Sequence, residues 1–417
     1  MKKNQFNLLV VLFAIFFASC QEDGQLFLSS EQNETRGEKV AIVGDNYLGN
    51  PGGIYVLSEG NMTSENGALS FIDASDLALS DFPAQNDVIG SGTMGNVSQD
   101  LFIADNKMYI VNQNGDIDQG AQNLFRTDST LTESKSSNPG GYFAEGWSGN
   151  TPTHLAVSGA TIYVRTNDGV VITDTSTFTD GSTPPTPLDG ISTPSRTRRA
   201  MISNDGVKYL YVGSENNVVY RINTTNNFVD KIAVEGTVAG LVAVRRDNKA
   251  TQYVYAFGIT SSTTAVLSKI SRDTVISRDT IDGAPLDPGL FIPSVGLCCY
   301  AGAVEDIVYF RSNNWDPTTI YRYEVGTGDL ITLYTVPDGI DERAQIIYGD
   351  LGVDPRTGDL YFGYVGNWGA FATVNGIGRL RKGDPNSIQE YRASYNPPYK
   401  IDTHFTAGIY FNEEFDM

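Results

Sequence analysis

From about residue 50 onward the chain alternates short apolar, β-rich runs with clusters of Gly, Asn and Asp, and it contains no long stretch with the spacing of an amphipathic helix. One unit returns seven times: a small aliphatic strand, a turn, a tyrosine-centred strand, a polar turn and a further strand. The tyrosine-centred runs are Gly53-Ile54-Tyr55-Val56, Lys107-Met108-Tyr109-Ile110, Thr161-Ile162-Tyr163-Val164, Tyr209-Leu210-Tyr211-Val212, Tyr253-Val254-Tyr255-Ala256, Ile307-Val308-Tyr309-Phe310 and Asp359-Leu360-Tyr361-Phe362. Their central tyrosines stand 54, 54, 48, 44, 54 and 52 residues apart. Four-stranded propeller blades repeat at about 40 to 50 residues. The pattern therefore predicts an all-β, seven-bladed β-propeller over residues 41–417.

Shorter runs precede the tyrosine strands, among them Leu101–Ala104, Leu155–Ser158, Leu241–Val244 and Leu351–Val353, and these are read as inner strands. Third strands follow, as at Leu69–Ile72, Val219–Ile222 and Ile320–Tyr323. The first tyrosine strand has no matching run before it, whereas the chain's end offers Ala407-Gly408-Ile409-Tyr410-Phe411. That segment is predicted to pair with the Tyr55 strand and close the ring, which removes the free edge of an open array. A spiral solenoid would share the repeat but needs end caps. Two β-sandwiches would alternate likewise, without seven matched units and a displaced last strand.

The first residues carry a different pattern. Lys2-Lys3 precedes an apolar run from Phe6 to Phe17, then Ala18-Ser19-Cys20. The run is short for a transmembrane helix and reads as a lipoprotein signal over residues 1–19, with Cys20 as the lipidated residue. An ordinary signal peptide with an incidental cysteine is the competing reading. Gln21-Glu22-Asp23-Gly24 resembles a surface-export signal of Gram-negative lipoproteins, and residues 20–40 read as a flexible tether. The expected location is the outer membrane, lipid-anchored, at the cell surface.

A blade is an antiparallel meander, so residues at the start of inner strands and after tyrosine strands gather at one axial mouth. That mapping nominates Asp100, His154, Arg199, Gly240, Tyr300 and Asp350, with His404 and Phe405 approaching the closing strand. Loops after the tyrosine strands add Glu59, Asn61, Asn112, Asn167, Glu215, Trp315 and Trp368. Amides beside aromatic rings suit a polar, flat ligand such as a sugar or macrocycle. Asn and Asp after strands are also ordinary turn residues. His154 and His404 are the chain's two histidines; they read as hydrogen-bonded loop residues before metal ligands, and no metal or cofactor is expected. Cys298-Cys299 reads as buried free thiols, with a disulfide between neighbours as the alternative. Asp116-Ile117-Asp118-Gln119-Gly120 lacks the later ligands of a calcium loop and reads as a polar hairpin.

Composition narrows the classes. With 40% hydrophobic residues, the chain has material for a folded core rather than disorder. Its formal charge is −20, which becomes −22 once Lys2 and Lys3 are set aside; such a surface repels nucleic acid and anionic headgroups. There is no phosphate loop, no GxSxG, no HExxH and no Cys-x-x-Cys, so an enzyme is not expected.

Gly53-Ile54-Tyr55-Val56-Leu57-Ser58-Glu59-Gly60-Asn61, followed by Asn66-Gly67-Ala68-Leu69-Ser70-Phe71-Ile72-Asp73, resembles the opening of a family of lipoprotein propellers of unassigned function, the DUF5074 or YncE-like group. One branch of that group is a surface cobalamin-binding protein that caps a TonB-dependent transporter. The resemblance implies a surface lipoprotein that binds a small polar or macrocyclic solute, or docks on a TonB-dependent transporter or other barrel complex as an accessory. It does not imply cobalamin, because no corrinoid-contact motif is matched. A barrel accessory with no small ligand and, less well supported, a lyase-like enzyme on the propeller face are the alternatives.

Overall fold

The computed structural model describes residues 48, 53–60, 66–72, 86–89, 94–115, 123–131, 134–144, 149–246, 251–288, 294–302, 305–337, 346–366, 375–392 and 405–415. Residues 1–40, including Cys20, lie outside them, as do Asn61, Asp116–Gly120, Trp368 and His404.

The seven tyrosine runs form the second strands of seven four-stranded antiparallel sheets, and these are the blades of a propeller. In chain order the second strands are Ile54–Ser58, Lys107–Gly115, Thr161–Thr166, Val207–Gly213, Thr251–Ile259, Asp306–Arg311 and Leu360–Val365. Blades 2 to 7 take their inner strands from the preceding chain: Asn96–Ala104, Pro152–Ser158, Ala200–Asn204, Thr237–Arg246, Cys298–Ala301 and Ile346–Val353. Blade 1 takes its inner strand from the far end of the sequence. Thr406–Phe411 pairs antiparallel with Ile54–Ser58, with Tyr410 opposite Tyr55, and this closes the ring as the displaced last strand implied.

Two inner strands start well before their apolar cores suggest. Asn96–Ala104 begins five residues ahead of Leu101, and Ile346–Val353 five ahead of Leu351. Register shifts between Asn96 and Asp100, and between Tyr348 and Gly352, carry the ladder through polar residues and break the two-residue alternation. Gly349 sits in the second irregularity at φ 73°. A Cβ there would lie 2.0 Å from the carbonyl oxygen of Thr406, so the seam between blade 7 and the closing strand accepts only glycine.

The central tyrosines are all at most 2% exposed. Each ring removes about 150–250 Å² from water, on the order of 4 kcal/mol at ~25 cal/mol per Å². Several hydroxyls reach into the next blade. Tyr163 donates to Asn227 Oδ1 at 2.6 Å and Tyr211 to the Arg272 carbonyl at 2.5 Å. Tyr255 donates to Asp306 Oδ2 at 2.5 Å, where Tyr253 also donates and Arg246 forms an ion pair. The same strand position thus fills its own sheet and fastens the neighbouring one.

After the closing strand, the turn Asn412–Glu414 runs under the end of the axis opposite the predicted mouth. Glu413 pairs with Arg356 at 3.3 Å, and the Phe415 ring packs on Phe102 at 5.2 Å and Tyr410 at 6.4 Å. Among the described residues no helix is long and apolar enough to cross a membrane.

A chain ending before Thr406 leaves an unpaired edge on Ile54–Ser58 and withdraws Tyr410 and Glu414 from the axis. Expected is loss of the single cooperative thermal transition, read by near-ultraviolet circular dichroism and calorimetry. A truncated chain melting at the full-length temperature would sink the closure argument.

Candidate functional site

The seven inner strands can be aligned by the residue opposite each central tyrosine: Tyr410, Phe102, Ala156, Ala200, Val242, Cys298 and Gly352. Two positions earlier stand Gly408, Asp100, His154, Arg198, Gly240, Gly296 and Asp350. One layer around the axis therefore holds three glycines and four ionisable residues. Small residues are required where the wall closes in: a Cβ on Gly240 would meet the Leu297 Cβ at 2.7 Å.

Asp100 is fully buried and is the hub of this layer. Its Oδ2 accepts from the Leu155 amide at 3.0 Å, and its Oδ1 accepts from the Tyr410 hydroxyl at 3.1 Å and lies 3.4 Å from Arg199 Nη1. Three blades and the closing strand thus meet on one carboxylate. Arg199 also donates to the Leu101 carbonyl at 2.7 Å and lies over the Phe102 ring at 5.0 Å. Arg198 pairs with Glu414 at 2.8 Å and lies over the Tyr410 ring at 4.2 Å. Burial disfavours the Arg198 cation, yet Glu414, Tyr410, Asp100 and Asp350 together hold its pKa above the usual arginine range. Arg245 donates to the Glu414 carbonyl and, at 2.8 Å, to that of Met201. Asp350 accepts from the Ser294 hydroxyl at 3.4 Å; burial raises its pKa against the pull of Arg198 and Arg311.

His154 is kept neutral. Burial pushes its pKa down to about 3; Asp100 opposes the shift, and Arg165, Arg199 and Arg198 reinforce it. Arg165 Nη1 donates to Thr153 Oγ1 at 2.9 Å, and that oxygen lies 3.1 Å from His154 Nδ1.

Nearer the mouth, Glu59 follows the Tyr55 strand. Its carboxylate accepts from Gln99 Nε2 at 2.9 Å and from the Tyr348 hydroxyl at 3.0 Å. Burial pushes its pKa up to about 7 against these two hydrogen bonds. The Glu59 backbone is clasped on both sides, donating to the Phe405 carbonyl at 2.8 Å and accepting from the Ser98 amide at 3.3 Å. Both flanks are strained: Phe405 has φ 56° and Val97 has φ 54°, left-handed values that bulky and β-branched residues avoid. The Phe405 ring packs edge-on to Tyr348 at 5.1 Å.

Of the nominated residues, Asp100, His154, Arg199 and Asp350 meet at the axis. Trp315 lies in the loop after Asp306–Arg311, on the mouth side, and is 55% exposed. Tyr300 does not join the cluster. The inner strand of blade 6 begins at Cys298, so Tyr300 lies toward its far end, where its ring packs against Gly358 in the hairpin of blade 7. The position equivalent to Asp100 is Gly296. Cys298 and Cys299 are free thiols whose pKa burial raises well above the usual range. Among the described residues no group of three or more His, Cys, Asp and Glu side chains is placed to hold a metal. The residues that sequence reasoning missed are Gln99, Arg165, Arg198, Arg245, Arg311, Tyr348 and Glu414. Only the run Arg196-Thr197-Arg198-Arg199, basic in an acidic chain and next to an inner strand, gave a signal.

Sheets, closure and axis define a seven-bladed β-propeller. The chain belongs to the family described as Domain of unknown function (DUF5074), whose model matches residues 52–411. No curated protein matches it in sequence. In fold it is similar to two provisionally assigned 6-phosphogluconolactonases. The one from Bacteroides fragilis NCTC 9343 is 12% identical with a TM-score of 0.53, over 87% of this chain and 98% of that one. The one from Bacteroides uniformis ATCC 8492 is 12% identical with a TM-score of 0.52, over 87% and 99%. The extracellular domain of the provisionally assigned hybrid two-component system BT4673 from B. thetaiotaomicron is 14% identical with a TM-score of 0.49, over 78% of this chain; the match spans 37% of that chain's length.

The two shifted groups pull stability in opposite directions. Glu59 binds its proton more tightly folded, so its contribution is full below the unfolded pKa of 4.5 and is lost as pH rises toward about 7. His154 binds its proton less tightly folded, so its contribution is full above 6.5 and is lost as pH falls toward about 3. Between pH 4.5 and 6.5 they oppose each other. Glu59→Gln is expected to steepen the loss of stability on acidification across that window. His154→Asn is expected to make stability fall as pH rises from 4.5 to 7. Urea titrations at half-unit pH steps read both slopes, and parallel profiles for the two variants would refute the assignment.

Proposed function

We propose that this protein is a solute-capturing surface lipoprotein, exported, acylated at Cys20, tethered through residues 20–40, and acting beside a TonB-dependent transporter or another outer-membrane barrel complex. The supporting observation is the construction of the mouth. Glu59, Gln99, Tyr348 and Phe405 come from blades 1, 2 and 7 to one point, and the backbone is strained on both sides of it. Strain of this kind costs about 1–3 kcal/mol per residue and concentrates at ligand clamps. A carboxyl near its midpoint at neutral pH both accepts and donates hydrogen bonds, while the Tyr348 and Phe405 rings offer a flat face. That combination suits a polar ring, as in a sugar. The mechanism is binding rather than turnover: the site orients hydrogen bonds around a flat solute, and the lipid anchor holds the loaded propeller at the membrane.

A second reading, a barrel accessory without a small ligand, draws support from the axis itself. Arg198, Arg199 and Arg245 are already occupied by Glu414, Asp100 and backbone carbonyls, so the lower channel is filled by the chain's own groups.

Calorimetry of the full mature chain against neutral glycans, uronates, sulfated and phosphorylated sugars, haem and corrinoids separates the two. Saturable binding weakened at least tenfold by Tyr348→Ala is the expected result. Silence across the panel, together with recovery of a barrel protein from detergent-solubilised membranes, would transfer the assignment to the accessory reading. Cys20→Ser should move the protein from the membrane fraction to the soluble one; unchanged membrane association would refute the lipid anchor.

A further inference from the structure

Resting on that reading, we propose that the captured solute carries an oxyanion (a carboxylate, sulfate or phosphate) and that this group is held between blades 3 and 4 by Arg165, with Arg196 beside it.

Arg165 stands out among the interior arginines. It ends the second strand of blade 3 on the mouth side, opposite His154, and is 4% exposed. The other arginine buried to this degree among the described residues, Arg379, meets Asp359, and the half-buried Arg198 and Arg199 meet Glu414 and Asp100, whereas the half-buried Arg245 and Arg311 donate to backbone carbonyls. Arg165 meets neutral oxygens. Nη1 donates to Thr153 Oγ1 at 2.9 Å and to Asn167 Oδ1 at 3.3 Å, and Nη2 donates to the Pro194 carbonyl at 2.5 Å. Among the described residues no carboxylate lies within ion-pair distance of it. The charges that act on it are a second cation, Arg196, and, opposing it, the exposed Glu215.

A guanidinium has five N–H donors. Three of Arg165's are used, and Nε is buried without a partner. Two hydroxyls nearby along the chain are in the same condition. Ser195 follows Pro194, Thr151 lies two residues before Thr153, both residues are fully buried, and neither Oγ has a hydrogen-bond partner. A buried cation without a counter-ion is costly, and removing one partner of a buried pair leaves that same condition. Here the protein maintains it at the end of the propeller where ligands enter. The guanidinium fork matches carboxylate, sulfate and phosphate geometry, and a like-charged neighbour strengthens the field an incoming anion feels. Burial, followed by Arg196, lowers the Arg165 pKa to about 9, against the pull of Glu215; the guanidinium therefore stays a cation at neutral pH.

The test uses the full mature chain at fixed ionic strength, with glucose, glucuronate, inorganic sulfate and inorganic phosphate as probes and chloride as reference. Expected is saturable binding of at least one anionic probe, weakened tenfold or more in both Arg165→Met and Arg196→Gln. The ligand-free protein supplies a second readout. If Arg165 is an uncompensated cation, Arg165→Met melts at or above the parent temperature, because a charge without a partner has been removed; a structural arginine would give a clear drop. Anion binding retained in both variants, or a drop in the ligand-free melting temperature of Arg165→Met with anion binding intact, overturns the proposal. Glucose bound as tightly as glucuronate and indifferent to Arg165→Met overturns the oxyanion assignment while leaving solute capture standing. No binding of any probe overturns the oxyanion site, and solute capture then stands or falls on the wider glycan and corrinoid panel.

Discussion

The backbone pairing of Thr406–Phe411 with Ile54–Ser58 is the constraint on which the rest of this molecule depends. Each blade alone is a four-stranded sheet with both faces apolar and both edges open. Stacking seven around an axis covers the faces, but the first and last remain separate until one strand belongs to both ends of the sequence. The closing strand satisfies the edge of blade 1 and packs against the inner strand of blade 7, where Gly349 lets the two backbones approach. The same strand carries Tyr410 to Asp100, a residue 310 positions earlier, and leads directly into Glu413 and Glu414. One pairing therefore fixes the ring and supplies Glu414, which neutralises part of its centre.

Charge at that centre is distributed unevenly along the axis. In the lower part Arg198, Arg199 and Arg245 each meet Asp100, Glu414 or backbone carbonyls, and Phe415 packs beneath them. The mouth differs. Around blades 3 and 4 two arginines share the exposed Glu215, while around blades 1, 2 and 7 a carboxyl faces an amide and a phenol instead of a cation. Both arrangements cost free energy in the ligand-free protein, and the left-handed backbone at Val97 and Phe405 adds to that cost. The layer beneath, tied across blades through Asp100 and Glu414, gives these groups a floor.

His154 and Glu59 illustrate how position in the ring sets chemistry. His154 is surrounded by three arginines and one aspartate, so burial and like charge together keep it neutral. Glu59 takes its hydrogen bonds from the neutral donors Gln99 and Tyr348, so burial moves it the other way. Neither shift follows from residue type; both follow from which blade ends lie next to each other.

The amino-acid sequence by itself determined the blade. Alternation of apolar and polar positions is a two-residue property of a single strand, and a tyrosine every 44 to 54 residues reports the repeat directly, so the seven blades and the displaced last strand could be read without coordinates. Asp100, His154, Arg199 and Asp350 were legible too, because each sits near an inner strand whose phase could be counted. Tyr300 misled because the strand of blade 6 begins at Cys298, two residues ahead of the tyrosine nominated as its start, which carries that ring toward the opposite end of the blade. The tertiary structure alone decided the partners. Arg198 with Glu414, Glu59 with Tyr348, and Arg165 with Thr153 and the Pro194 carbonyl are matters of angle around the axis. Register irregularities in blades 2 and 7 and the rotation between sheets set those angles, and neither leaves a periodic trace in the chain.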